Sequence, residues 1–254
     1  SYGDLQARSG RKLPERPKIK KTPSAIVHMY KTDYKGCWVA FSGRRMVGYG
    51  QALMRGKQWY LANLFVATHV QNRGVGRELI RRCVNYGKGK ADSFALCTFP
   101  YNEAAMGLYT SFGMMPLLNF FEMNKNINKK PRIRSTGLRI ENGNSHKSIL
   151  RINKLEKKIR GYTRLIDLKF FAAEPEIRKI LDFFDGPRWV GYSFIHQDTL
   201  IGPAGAIAPK YLPDIVTESY KQCAGNGSKK VVITICAANS QVYSRLKSLG
   251  FVIK

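Results

Sequence analysis

The feature that most restricts how this chain folds is a change of apolar period between residues 59 and 87. Residues 59–66 form a mostly apolar run of strand length, and a polar loop with two glycines follows at residues 71–77. Beyond the loop, apolar residues recur at helical spacing as far as Gly87; they are Val75, Leu79, Ile80, Cys83 and Tyr86. The sequence therefore predicts a strand, a glycine-bearing loop and a helix in direct succession.

The loop has the composition of an anion-binding site. Consecutive backbone N–H groups at the start of a helix point towards the positive end of the helix dipole. Gly74 and Gly76 leave room for a phosphate to approach the backbone, and Arg73 and Arg77 add positive charge. The alternative is an ordinary glycine-capped turn between a strand and a helix, which the loop alone does not exclude.

Similar patterns predict mixed helices and strands along the rest of the chain. The elements expected in the first half are a helix over 22–34, strands over 37–41, 46–54 and 93–98, and a helix from Asn102 to Gly113. Those expected in the second half are helices from 148, near 175–184 and over 209–224, and strands over 188–195, 199–202 and 230–236.

The end of the chain repeats the end of the first half. Asn102 and Gly113 are separated by the same interval as Asn239 and Gly250, and each interval follows a predicted strand. We infer an internal duplication, with each copy a mixed, mostly antiparallel sheet flanked by helices, in the α/β (α+β) class. The expected organisation is a basic N-terminal arm (1–21), a first domain (22–124), a basic linker (125–145) and a second domain (146–254).

Two segments of the first half together resemble the GNAT superfamily of N-acetyltransferases. The family's loop pattern, Q/R-x-x-G-x-G/A, matches residues 71–76. Its pattern N-x-x-A-x-x-L-Y-x-x-x-G, followed by an apolar residue, matches residues 102–114. The resemblance implies two tandem GNAT-like domains and transfer of an acetyl group from acetyl-coenzyme A to a primary amine.

The resemblance also implies roles for the matching residues. The loop backbone would bind the pyrophosphate of acetyl-coenzyme A; its residues are Gln71, Asn72, Arg73, Gly74, Val75, Gly76 and Arg77. Phe65 and Val66 would pair their backbone with the pantetheine arm, and Asn102 would bind the same arm, cap the next helix, or do both. Tyr109 would donate a proton to the leaving thiolate, unless it is only a core tyrosine.

Transfer in this family is a direct attack by a neutral amine, so no nucleophile such as Cys97 is needed. Many relatives deprotonate the amine with a glutamate on the strand before the loop, where this chain has Asn63. Tyr60 and His69 are nearby candidates, and the base stays unassigned. The acceptor also stays open among a small-molecule amine, an antibiotic, a peptide N-terminus and a protein lysine.

The second copy departs from the family pattern. Leu246 stands where the first copy has Tyr109. The expected strand–helix junction at 202–207 lacks the glycine pattern, and its Pro203 has no N–H to offer an anion. We therefore expect the second domain to be catalytically silent.

The charge of the chain is strongly positive, with 43 Lys and Arg against 17 Asp and Glu. Such a balance attracts polyanions at low salt. Between Lys125 and Arg164, however, Tyr162 is the only aromatic residue, which favours a solvated charged surface over docking of nucleic acid or an acidic partner. The rival function is a non-catalytic GNAT-like module that binds acyl-coenzyme A or nucleic acid.

The remaining composition excludes several other classes. The five cysteines include no C-x-x-C pair and the four histidines are isolated, so we expect reduced thiols and no metal site. No apolar run reaches about 18 residues and no signal peptide is apparent, so we expect a cytoplasmic protein without a membrane span. Because the sequence begins at Ser1, the completeness of its N-terminus stays open, and so does the oligomeric state.

Overall fold

The structure, a computed structural model, describes most of the chain after the basic arm; the described residues are 23–128, 132–174, 177–197, 199–225 and 227–253. The arm expected over 1–21 lies outside them. The chain divides into two compact units, Ser1–Pro116 and Leu117–Lys254. Within the described residues, no helix has the length and apolar character needed to cross a membrane.

The first unit is a four-stranded sheet with helices, as the sequence predicts. Its elements are α1 (Ser24–Asp33), β1 (Cys37–Ser42), β2 (Arg45–Arg55), β3 (Gln58–Val66), α2 (Val75–Gly87), β4 (Ser93–Leu96) and α3 (Glu103–Thr110). The strand order is β1-β2-β3-β4; β3 and β4 are parallel and the other pairs are antiparallel.

Helix α2 packs closely against β2 because β2 carries glycines where the two elements meet. A Cβ at Gly50 would lie 2.9 Å from the Sγ of Cys83, and one at Gly48 would lie 3.1 Å from Leu79. The apolar stripe of α2 is therefore buried, and Trp59 on β3 is fully buried beside it, donating a hydrogen bond to the carbonyl of Cys83 at 2.8 Å. This packing fixes the start of α2 relative to the end of β3.

A buried ion pair joins α1 to the end of β2. The carboxylate of Asp33 accepts hydrogen bonds from Arg55 at 2.8 Å, from the backbone N–H of Met54 at 2.9 Å, and from the Thr32 and Tyr86 hydroxyls. Burial alone would raise the pKa of Asp33, but the hydrogen bonds from Arg55, Thr32 and Met54 outweigh it, so the pKa is lowered. The charged carboxylate is thus the stable form in the folded protein.

The second unit is a larger sheet covered by helices on both faces. Its elements are β5 (Phe120–Asn126), β6 (Arg139–Asn142), α4 (His146–Arg160), α5 (Leu165–Ala173), β7 (Ile177–Asp185), β8 (Arg188–His196), β9 (Leu200–Ala206), α6 (Leu212–Gly225), β10 (Lys230–Cys236), α7 (Ser240–Ser248) and β11 (Val252–Ile253). The strand order is β11-β5-β10-β9-β8-β7-β6. Neighbouring residues Ile180 and Leu181 belong to different apolar clusters, one packed with α4 and α5 and the other with α6 and α7.

The expected domain boundaries at 22–124 and 125–145 need correction. β5 pairs along its whole length with β10 in the second sheet, and β6, inside the expected linker, pairs with β7. Only one face of β5 packs in the core, at Phe121 and Met123, and all its other residues except the exposed Phe120 are polar, so the strand resembles a linker in the sequence.

Two further expectations in the second half are wrong. The segment expected to be a helix near 175–184 is the strand β7. Its residues 180–184 are buried on both faces, so four of these five residues are apolar and they do not alternate with polar ones. The expected junction at 202–207 lies largely inside β9, and α6 begins only at Leu212, after a turn at Pro209–Tyr211.

Replacing Asp33 with Asn is expected to lower the free energy of unfolding by about 3–5 kcal/mol, because Arg55 would stay buried without its carboxylate. The control is Asp92→Asn, which removes an exposed pair with Lys57 and should cost less than about 1 kcal/mol in urea denaturation. Since the folded-state pKa of Asp33 is lowered, its contribution is present above the ordinary pKa of 3.8 and is lost as the pH falls further. Equal losses in the two variants at pH 7 would contradict this role.

Candidate active site

The site is organised by the point at which β3 and β4 part. The two strands pair only from Gln58 with Ser93 to Leu61 with Leu96. Beyond Leu61, β3 continues to Val66 while remaining paired with β2 on its other side. The edge of β3 that faces β4 therefore offers unpaired backbone groups over residues 62–66, which is a template for an added extended chain.

A bulge coincides with this parting. Gln51 pairs with Asn63 and Ala52 with Leu61, which leaves Ala62 as the extra residue on β3. A bulge increases local twist and redirects the side chains that follow it. The regular strand β4 ends at Leu96, and the chain runs through a non-regular segment to Tyr101.

The loop after β3 has the geometry of an anion cradle. Asn72 and Gly74 both adopt left-handed backbone conformations, with φ of 62° and 82°. Helix α2 begins directly after Gly74 without a side-chain cap, so its first N–H groups have neither an intrahelical nor a capping partner. Gln71 supports the loop by donating a side-chain hydrogen bond to the carbonyl of Val66 at 3.1 Å.

Charge at the start of α2 favours an anion. Glu78, the acidic residue of the first turn, accepts hydrogen bonds from Arg81 and Arg82 at 2.7 and 2.6 Å. These two arginines hold the pKa of Glu78 at about 2, and they also balance its negative charge. The guanidinium of Arg77 lies 5.9 Å from the ring centre of Phe112. The positive end of the helix is therefore not cancelled by its own acidic residue.

One cleft of about 500 Å³ brings most of the predicted site residues together. Nine of them line it: Phe65, Val66, Gln71, Asn72, Gly74, Gly76, Arg77, Asn102 and Tyr109. The predicted residues Arg73 and Val75 do not line it. Sequence reasoning missed lining residues that follow β4 or lie on α3, among them Cys97, Thr98, Phe99, Ala104 and Leu108. Their position opposite β3 depends on where β4 stops, and the expected strand end at 98 was two residues too late.

Asn102 performs the capping role and also lines the cleft. Its side-chain oxygen accepts a hydrogen bond from the N–H of Ala105 at 3.3 Å. A carboxamide has two N–H donors besides this oxygen, so capping leaves its donors available to a ligand.

Tyr109 belongs both to the core and to the cleft. It is 8% exposed, and it packs in the cluster that contains Ala52, Trp59 and Leu61 while also lining the cleft. Burial raises the pKa of Tyr109 to about 12. The hydroxyl is therefore protonated at neutral pH and can donate a hydrogen bond but cannot act as a base.

Asn63 stands at the strand position where many relatives have a glutamate, and it forms a neutral amide pair with Gln51. The side-chain amide of Asn63 donates to the side-chain oxygen of Gln51 at 2.9 Å, and Gln51 donates to the carbonyl of Ile26 at 3.4 Å. The two candidate bases do not line the cleft: His69 is exposed on the turn Thr68–Val70, and Tyr60 lies earlier on β3. Within the described residues, no three His, Cys, Asp or Glu side chains gather into a metal-binding group.

The second unit repeats the backbone of α3 but not its chemistry. The carbonyl of Tyr109 accepts from the N–H of Met114 at 3.1 Å, and the carbonyl of Leu246 accepts from the N–H of Phe251 at 2.9 Å. Gly113 and Gly250 follow with φ of 79° and 81°. The equivalence of Leu246 and Tyr109 is thus confirmed by their hydrogen bonding, and Leu246 is fully buried.

Comparison with known proteins agrees with this geometry. Residues 9–114 match the model of the acetyltransferase (GNAT) family. Over its whole length the chain is similar to a GCN5-related N-acetyltransferase of Sphaerobacter thermophilus, with a TM-score of 0.69, 13% identity and coverage of 87% of that chain. It matches a candidate acetyltransferase of Pyrococcus horikoshii at a TM-score of 0.68 and 20% identity, covering 91% of this chain and 74% of the other.

A third structure has the tandem arrangement expected from the duplication. It is a tandem GNAT protein from the clavulanic acid biosynthesis pathway, with a TM-score of 0.58, 14% identity and coverage of 99% of this chain and 90% of that chain. At such identities the likeness concerns the fold. No curated protein sequence matches the chain with significance. The match of residues 9–114 to the acetyltransferase (GNAT) family model agrees with the parted strands and the uncapped helix of the first unit.

Proposed function

We propose that the protein transfers an acetyl group from acetyl-coenzyme A to a primary amine by direct attack in a ternary complex. The observation that carries this proposal is the unpaired edge of β3 beside an uncapped helix start, with Tyr109 lining the same cleft. The edge suits an extended amide-containing arm, and the helix start suits a pyrophosphate.

The donor would lie along the cleft from α2 towards α3. The backbone of Gln71–Arg77 would hold the pyrophosphate, although Arg73 and Val75 do not themselves line the cleft. Phe65 and Val66 would pair with the pantetheine arm, and the free donors of Asn102 would bind it from the opposite side. The thioester would then lie near Tyr109 and the parting of the strands.

The chemistry needs little from the protein beyond placement. The nitrogen lone pair attacks the thioester carbonyl carbon, the carbon–sulfur bond breaks, and one proton passes from nitrogen to sulfur overall. A phenol with a pKa of about 12 does not readily give its proton to a thiolate, whose ordinary pKa is about 8.5. Tyr109 therefore stabilises the departing sulfur as a hydrogen-bond donor, which is a narrower role than full proton transfer.

We assign one donor site to each chain. In the second unit, Leu246 has no hydroxyl to offer. Helix α6 begins after Pro209 and carries Pro213 and Asp214 in its first turn. Asp214 is paired with Arg245, but prolines have no N–H to donate, so this helix start offers fewer donors to a pyrophosphate than the start of α2 does.

A non-catalytic acyl-coenzyme A-binding module is the second candidate. It is favoured by one observation, the neutral Asn63–Gln51 pair where a catalytic carboxylate is common. Binding of acetyl-coenzyme A without release of coenzyme A in the presence of any amine would support it over the enzyme.

Acetyl-coenzyme A is expected to raise the melting temperature, by an amount equivalent to about 2.7 kcal/mol at a hundred times its Kd. Gly74→Asp should abolish this shift, because it puts a carboxylate into the open space beside the helix start. Gly89→Asp is the matched control, since Gly89 has a φ of 73° and equally open surroundings but lies outside the cleft. Both variants should lose similar stability without ligand, and loss of the shift in both would contradict the assigned site.

Tyr109→Phe is expected to lower kcat by about 100-fold, because it removes a hydrogen-bond donor to the departing sulfur. The ring remains in the core, so the variant should fold and should keep the melting shift with acetyl-coenzyme A. The measurement is coenzyme A release at saturating substrates. An unchanged kcat would show that Tyr109 is a core residue only.

A further inference from the structure

Within the described part of the chain, the lining of the cleft includes no carboxylate or imidazole that could take a proton from an ammonium ion. Among the described residues that line the cleft, none is Asp, Glu, His or Lys, and Arg77 is the one charged side chain. Tyr109 keeps its proton far above neutral pH, since burial raises its pKa to about 12. The thiol of Cys97 is the remaining titratable group on this lining.

The residues nearest the parting of the strands offer hydrogen bonds but no negative charge. Asn63 uses an amide N–H on Gln51, which leaves the oxygen of Asn63 as an acceptor for an incoming amine. An amide oxygen can orient an N–H group, but it is far too weakly basic to remove a proton. The amide pair can therefore position an acceptor without activating it.

Acidic side chains elsewhere in the described part of the first unit are mostly paired with cations. Asp33 is bound by Arg55, Glu78 by Arg81 and Arg82, and Asp92 by Lys57. Glu103 lies at the start of α3 and does not line the cleft. A protonated amine that enters the cleft would thus lose hydration without gaining an ion pair.

We infer that the acceptor is a weakly basic primary amine, of the kind found at the α-amino end of a peptide, and not a strongly basic amine such as a lysine side chain or a polyamine. The inference rests on the proposed acetyl transfer. Its basis is the neutral amide pair at Asn63 in the cleft and the absence of acidic residues among the described lining. The pairing of Asp33, Glu78 and Asp92 elsewhere in the unit adds to it.

The size of the effect follows from the population of neutral amine. With ordinary pKa values near 7.8 and 10.4, about one α-amine in seven is neutral at pH 7, against about one lysine side chain in 2,500. A site without a base can use only that neutral fraction. The ratio of neutral fractions therefore favours the α-amine by about 300-fold at pH 7. The neutral lysine amine is the stronger nucleophile, which makes the observed preference for the α-amine smaller than this ratio.

The test uses two tripeptides of similar size, one with a free N-terminus and no lysine, the other N-acetylated with a central lysine. For the wild-type protein, log kcat/KM should rise with unit slope up to the pKa of each amine, near 8 and near 10.4. At pH 7 the α-amine peptide should be preferred at least tenfold. A shared inflection below pH 7.5 for both peptides would reveal a base on the protein and overturn the inference.

Two variants of Asn63 make the test sharper. Asn63→Glu places a carboxylate beside Gln51. This variant should flatten the pH profile of kcat/KM and raise the activity with the lysine peptide relative to the α-amine peptide. Asn63→Gln is the neutral control and should keep the unit slope. If the wild-type inflection exists and disappears in Cys97→Ser, the thiolate is the base and the inference fails. A failed inference of either kind leaves acetyl transfer intact. Absence of acetylation of both peptides at every pH, together with no melting shift with acetyl-coenzyme A, would overturn the proposed function itself.

Discussion

The parting of β3 and β4 beyond Leu61 and Leu96 is the constraint on which the site depends. A parallel pair that stayed together would satisfy the backbone of β3 on both sides and leave no edge for a ligand. The pairing between β3 and β4 covers only four residues of each strand. Over the rest of its length, β3 therefore pairs with β2 alone. The bulge at Ala62 occurs at the same place, so the change in twist and the loss of the partner strand coincide.

The rest of the first unit holds this edge in a fixed relation to the start of α2. Close approach at Gly48 and Gly50 seats α2 against β2, and the left-handed conformations of Asn72 and Gly74 turn the chain into the helix without a side-chain cap. The buried Asp33–Arg55 pair ties α1 to the far end of β2. Uncapped N–H groups at the helix start are costly unless solvent or a ligand binds them, which is consistent with an anion site.

Much of the site could be predicted from local sequence because its chemistry is local. The glycines that allow the loop, the Asn102 cap and the Gly113 helix end each depend on conformations that few residue types adopt. The equivalence of Tyr109 with Leu246 followed from spacing alone and agrees with the hydrogen bonds at both helix ends. What depended on long-range pairing was not predictable. β5 is half polar, β7 is buried on both faces, and the lining residues after β4 could be placed only once the end of β4 was known.

The same structure gives the two halves of the proposed reaction unequal support. The donor half rests on the backbone geometry of the loop and of the edge of β3. The acceptor half rests on a neutral amide pair at Asn63. Amide hydrogen exchange with and without saturating acetyl-coenzyme A tests the central claim most directly. Binding at the parted edge predicts new protection over 62–66 and 71–77, with none over the corresponding strand and helix start at 200–206 and 207–214. Unchanged exchange over 62–66 and 71–77, or equal protection in both units, would contradict a single donor site built on the unpaired edge of β3.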